Sequence, residues 1–80
     1  MKKSGRRGND LPIPSGADPL VIWLLMSMNG DKIGAGQLSR ASGVSLTSVE
    51  LWSKGADPHI STLRAAINAM GYEIKLRRIQ

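Results

Sequence analysis

The chain has 80 residues, 41% of them hydrophobic and only 4% aromatic, so it can build one small core made mainly of aliphatic side chains. It contains no cysteine, which excludes a disulfide framework and a thiolate zinc site. The net charge of +5 points to an acidic partner such as nucleic acid, and where that charge sits matters more than its sum.

Lys2, Lys3, Arg6 and Arg7 crowd the start, and Lys75, Arg77 and Arg78 crowd the end. Between them Lys32, Arg40, Lys54 and Arg64 are outnumbered by Asp10, Asp18, Asp31, Glu50, Asp57 and Glu73. Electrostatic attraction for phosphate is therefore expected largely from the two ends of the chain.

Residues 1–17, MKKSGRRGNDLPIPSGA, mix glycine, serine, proline and positive charge without an apolar period, and read as a flexible basic arm. The domain is expected over 18–80. Asp18 followed by Pro19 is a helix start, since the carboxylate can accept an orphan amide while proline's fixed φ suits the first helical position. The first helix should run to about Asn29, where NGD breaks it. Its apolar run LVIWLLM is far shorter than the roughly 20 residues a membrane-spanning helix needs. The polar stretch before that run and the lack of a small-residue cleavage pattern after it argue against a signal peptide, so a soluble, cytoplasmic protein without a membrane partner is expected. Apolar residues surround almost the whole helix, with Leu20, Trp23 and Leu24 on one side and Val21, Ile22, Leu25 and Met26 on another. One core cannot cover both, which calls for a second contact with a partner subunit or with the C-terminal segment.

A short second helix is expected over about Gly36–Ser42, closed by Gly43. Ser45 then caps a third helix, 45–54, ending at Gly55. After the ADP turn, Ser61 or His59 opens a fourth helix with Leu63, Ala66, Ile67 and Met70 as its inner face, closed by Gly71. The tail alternates Tyr72, Ile74 and Leu76 against Glu73, Lys75 and Arg77, a period of two that predicts a β-strand. No other segment reads as a strand, so its simplest partner is its own copy in a homodimer, with the first helix as a second possible dimer contact.

At 100° per residue, Ser45, Ser48, Val49 and Trp52 fall on one side of the third helix, and Leu46, Thr47, Glu50, Leu51 and Lys54 share an arc of about 140° on the other. Leu38 in the second helix, the turn ASGVS at 41–45, the Val49 and Trp52 pair, Gly55 and the closing STLRAAINAMGYEI together resemble the Cro and repressor (XRE) family of helix-turn-helix DNA-binding proteins. The resemblance spans Ile33 to about Leu76. It implies an all-α fold, a small lambda repressor-like bundle of four to five short helices, here with a short C-terminal strand. It also implies that the third helix enters the major groove of double-stranded DNA, where Leu46, Thr47, Glu50 and Leu51 meet bases and Ser48 or Lys54 lies near phosphate. Gln37 is a further candidate contact, and Lys2, Lys3, Arg6 and Arg7 are candidates for phosphate or minor-groove contact from the arm. Thr47 can donate or accept, Glu50 can accept from cytosine N4, and the leucines suit thymine methyls.

The sequence departs from the family pattern at Ala35, where a glutamine is common, and at Ser53, where an acid is common. Its outward arc also lacks arginine, asparagine and glutamine, the usual bidentate readers. The closing helix and tail resemble HigA-like and HipB-like antitoxins as well, which implies a toxin protein as an alternative partner. Catalysis has little support: His59 is the sole histidine and sits in a turn, no metal-ligand cluster is present, and GAG at 34–36 lacks the lysine of a phosphate loop. The expectation is a transcriptional regulator, a repressor and not an enzyme, with no cofactor and no metal.

Overall fold

A computed structural model describes residues 10–79. Four helices follow one another: α1 (Pro19–Gly30), α2 (Ala35–Ser42), α3 (Leu46–Trp52) and α4 (Ile60–Ala69). Each begins and ends for a local reason. Asp18 caps α1, its carboxylate accepting from the Leu20 amide at 2.8 Å, and Pro19 occupies the first turn without wasting a donor. Gly43 ends α2 in the left-handed region at φ 81°, where a side chain would be strained, and its amide donates to the Ser39 carbonyl at 2.9 Å. Ser45 caps α3 by accepting from the Ser48 amide at 3.1 Å. His59 stands at the start of α4, but its ring makes no capping bond.

The helices enclose one aliphatic core. Val21, Leu24, Leu25 and Met28 enter it from α1, Leu38 from α2, Val49 and Trp52 from α3, and Leu63, Ala66 and Ile67 from α4. Val44, in the turn between α2 and α3, is buried with them. Full burial of each large aliphatic side chain contributes about 1.5–3 kcal/mol against chain entropy. α2 lies closest to α3 and α4, so the placement of α3 depends on a helix braced from two sides.

Two expectations change. The arm expected over 1–17 is docked from Leu11 onward. The Leu11 amide donates to Asn29 Oδ1 at 2.8 Å, Asn29 Nδ2 donates back to the Leu11 carbonyl at 3.0 Å, and Leu11 and Ala17 pack against the core. The side-chain amide of Asn29 thus acts like a short piece of strand backbone, supplying one donor and one acceptor. The basic residues Lys2, Lys3, Arg6 and Arg7 lie outside the described residues.

The C-terminal strand is likewise absent among the described residues, and the fold there is all-helical. A strand is defined by its ladder of inter-strand bonds, and among the described residues no second extended segment bonds to 72–79 to complete one. The excess apolar surface of α1 is partly met within the chain, because the Trp23 ring contacts that of Tyr72, while Leu20 and Met26 stay exposed. Among the described residues no helix is long and apolar enough to cross a membrane.

Candidate functional site

The candidate surface is built by the turn between α2 and α3. Ser42 stands at its centre: its hydroxyl donates to the Leu38 carbonyl at 2.7 Å and accepts from the Val44 amide at 3.1 Å. One side chain therefore ties the end of α2 to the first residue beyond Gly43. Leu38 and Val44 are both buried beneath this link, so the relative direction of the two helices is held by apolar packing below and hydrogen bonds above.

α3 is fixed from behind. Val49 is fully buried and Trp52 is 3% exposed, so its inner side has no freedom to rotate away from the core. Its start is held by Ser45, whose hydroxyl also donates to Ser48 Oγ at 2.8 Å. Its end is held by Ser53, a buried residue whose hydroxyl donates to the Glu50 carbonyl at 2.6 Å. The Leu51 carbonyl then accepts from both Lys54 and Ala56 amides at 3.0 Å, closing the chain tightly after the helix. Gly55 sits there at φ 105°, and a Cβ added to it would stand 3.9 Å from Pro14 of the docked N-terminal segment.

Every outward residue expected from the helical period is uncovered. Thr47, Glu50 and Lys54 are exposed, as are Leu46 (43%) and Leu51 (47%). Ser48 is half-buried at the border of this face, because its hydroxyl turns back to Ser45. Gln37 and Arg40 are exposed on α2. The face has little charge of its own: Glu50 and Lys54 are not within ion-pair distance, and the one ion pair among the described residues is Glu73 with Lys75. Chemically it offers one hydroxyl, one carboxylate, one ammonium and two leucines. That set suits contact with a patterned surface, and it does not bring an acid, a base and a nucleophile to one point. Among the described residues no group of three or more His, Asp or Glu side chains lies close enough to share a metal ion.

Sequence reasoning missed the contributions of Ser42 and Ser53. Both use serine's capacity to bond backbone at short range, which the sequence signals only as a polar residue near a helix end. No family model, curated protein or solved structure matches the chain.

Proposed function

We propose that the chain is a sequence-specific DNA-binding transcriptional regulator, a repressor, that lays α3 into the major groove. The observation that carries this reading is the two-sidedness of α3: Val49 and Trp52 lock its inner side, and Leu46, Thr47, Glu50 and Leu51 form an uncovered outer side that the exposed Lys54 extends from the turn just after the helix. A helix that reads base edges needs such an arrangement, because contacts made through side chains a few ångströms long discriminate only when the backbone behind them is held. Thr47 and Glu50 supply polar contacts to bases, with the leucines against thymine methyls. Phosphate affinity comes largely from the basic residues outside this face, including Lys2, Lys3, Arg6 and Arg7, with Ser48 or Lys54 beside phosphate at its border.

One observation favours a second reading, an antitoxin whose chief partner is a toxin protein. The outer side carries two half-exposed leucines and no arginine, asparagine or glutamine, a composition that fits an apolar protein groove. Selection of bound duplexes from a random DNA library tests the primary reading. Enrichment of an inverted repeat with half-sites about one helical turn apart is expected for a two-fold dimer. Recovery of unrelated duplexes, at a salt concentration where binding persists, would remove it and leave the protein-binding reading.

A further inference from the structure

The Tyr72 carbonyl accepts from Asn68 Nδ2 at 2.8 Å, and beyond Tyr72 the segment after α4 leaves the domain with its backbone unpaired among the described residues. The Tyr72 amide still donates to the Ile67 carbonyl at 3.2 Å, but among the described residues no backbone-to-backbone bond involves 73–79. Leu76 is 99% exposed, in contrast to the buried leucines of the helices.

Two contacts give this segment a direction. The Tyr72 ring rests against Trp23 and Ile74 packs against the core, in a groove that Leu20, Trp23 and Ile67 also line. Glu73 and Lys75 border the same groove and meet each other through largely exposed side chains, Oε1 to Nζ at 3.4 Å. Residues two apart share a side when the chain is extended. In an extended ribbon Tyr72, Ile74 and Leu76 would share one side and Glu73 and Lys75 the other; in the monomer Tyr72 and Ile74 touch the domain, while Leu76 is uncovered.

We propose that residues 72–76 pair antiparallel with the same residues of a second copy, with Ile74 on the two-fold axis. The register follows from charge. In a two-fold antiparallel ribbon the residue on the axis faces itself, and residues equally spaced on either side face one another. With Ile74 on the axis, Glu73 faces the second copy's Lys75, Lys75 faces its Glu73, and Tyr72 faces its Leu76. With Glu73 on the axis two carboxylates would oppose each other. With Lys75 there, two ammonium groups would do so, and with Leu76 there Lys75 would face Arg77 twice. Like charges directly opposite destabilise a strand pair, whereas opposite charges and aromatic–aliphatic pairs stabilise it. Only the Ile74 register gives each of these charges an opposite partner. It also covers the exposed Leu76 with the second copy's Tyr72. Nothing in this pairing uses the outer side of α3, so it stands apart from the DNA-binding reading.

The chain contains no cysteine, so single substitutions report the axis directly. E73C, I74C, K75C and L76C, each in the full chain, are oxidised mildly and separated without reductant. I74C is expected to cross-link fastest, because only a residue on the axis brings its own Cβ within disulfide distance of its copy. Fastest cross-linking at another of the four positions, or none above the rest, overturns the register. A second measurement does not touch the half-buried Ile74. E73K and K75E alter exposed side chains, and each should weaken self-association roughly tenfold by making both cross-strand pairs repulsive. Mixing the two variants should restore association as a heterodimer, in which the lysine introduced at position 73 of one chain faces the glutamate introduced at position 75 of the other. A mixture that associates no better than either variant alone overturns the proposal.

Discussion

Trp23 and Tyr72 meet edge to face, with ring centroids 4.9 Å apart and planes at 84°. This contact joins the apolar surplus of α1 to the residue at which the C-terminal segment begins, so it sets where that segment starts on the surface. An edge-to-face pair contributes about 0.5–1.5 kcal/mol beyond the area it covers. Tyr72→Ala should therefore lower unfolding stability by about 1 kcal/mol in urea denaturation at fixed chain concentration. Tyr72→Phe should be close to neutral, because the Tyr72 hydroxyl makes no hydrogen bond among the described residues. Equal losses from both would mean that the hydroxyl, and not the ring, holds the contact.

The inner and outer sides of α3 predict opposite responses to truncation. Trp52→Ala empties a large buried site and should cost about 3–5 kcal/mol, a major share of the roughly 5–15 kcal/mol that keeps a domain folded. Thr47→Ala and Glu50→Ala, at exposed positions without intrachain side-chain bonds, should each stay within about 0.5 kcal/mol of the parent. Thermal melts followed by helical circular dichroism measure both. A destabilising Glu50→Ala would show that this residue supports the fold, which would disqualify it as a free contact.

Glycines give a second contrast, between backbone and space. A Cβ at Gly43 would meet nothing within 4 Å, yet φ there is 81°, so Gly43→Ala should cost about 1–2 kcal/mol from backbone strain alone. Gly36 lies inside α2 with a helical backbone, and its added Cβ would make only an ordinary 3.6 Å contact with Arg40 Nη1. Gly36→Ala should accordingly raise stability by about 0.5 kcal/mol. Denaturant midpoints of the two variants should therefore move in opposite directions.

Asn29 holds Leu11 through both atoms of its side-chain amide. Asn29→Ala removes both bonds and should cost about 1–3 kcal/mol. Hydrogen exchange offers a sharper reading: the Leu11 amide should lose protection while amides in the centre of α1 keep theirs. Unchanged protection at Leu11 would show that apolar packing alone docks the segment.

The caps at Asp18 and Ser45, the left-handed turn at Gly43 and the opposition of Val49 and Trp52 to Thr47 and Glu50 were legible in the sequence because they follow from rules that act within four residues. The structure has them where those rules put them. The docking of Leu11 depends on an amide 18 residues away, a distance over which neither periodicity nor composition carries a signal. For that reason the docked segment begins ahead of the boundary expected at residue 17. The tail is a different case. Its period of two is plain in the sequence, but an alternating pattern specifies only which side chains share a face, and a ladder needs a second strand to bond with.

The proposed DNA contact separates into two contributions that salt distinguishes. Removing one phosphate contact lowers the slope of log affinity against log salt by about one unit, and it does so for every duplex, cognate or not. Deleting residues 1–8, which removes Lys2, Lys3, Arg6 and Arg7, should therefore flatten the salt dependence while leaving the preference among duplexes largely intact. The Thr47→Ala, Glu50→Ala double variant should do the reverse. It removes the two polar groups assigned to base edges, at about 1–3 kcal/mol of discrimination for each well-formed pair, while every basic residue that could meet phosphate stays in place. Fluorescence titrations of a selected duplex and a scrambled one, at several salt concentrations, measure both quantities in one experiment. If the double variant kept its preference, base recognition would have to be moved off α3, and the two exposed leucines would then be better read as the centre of a protein contact.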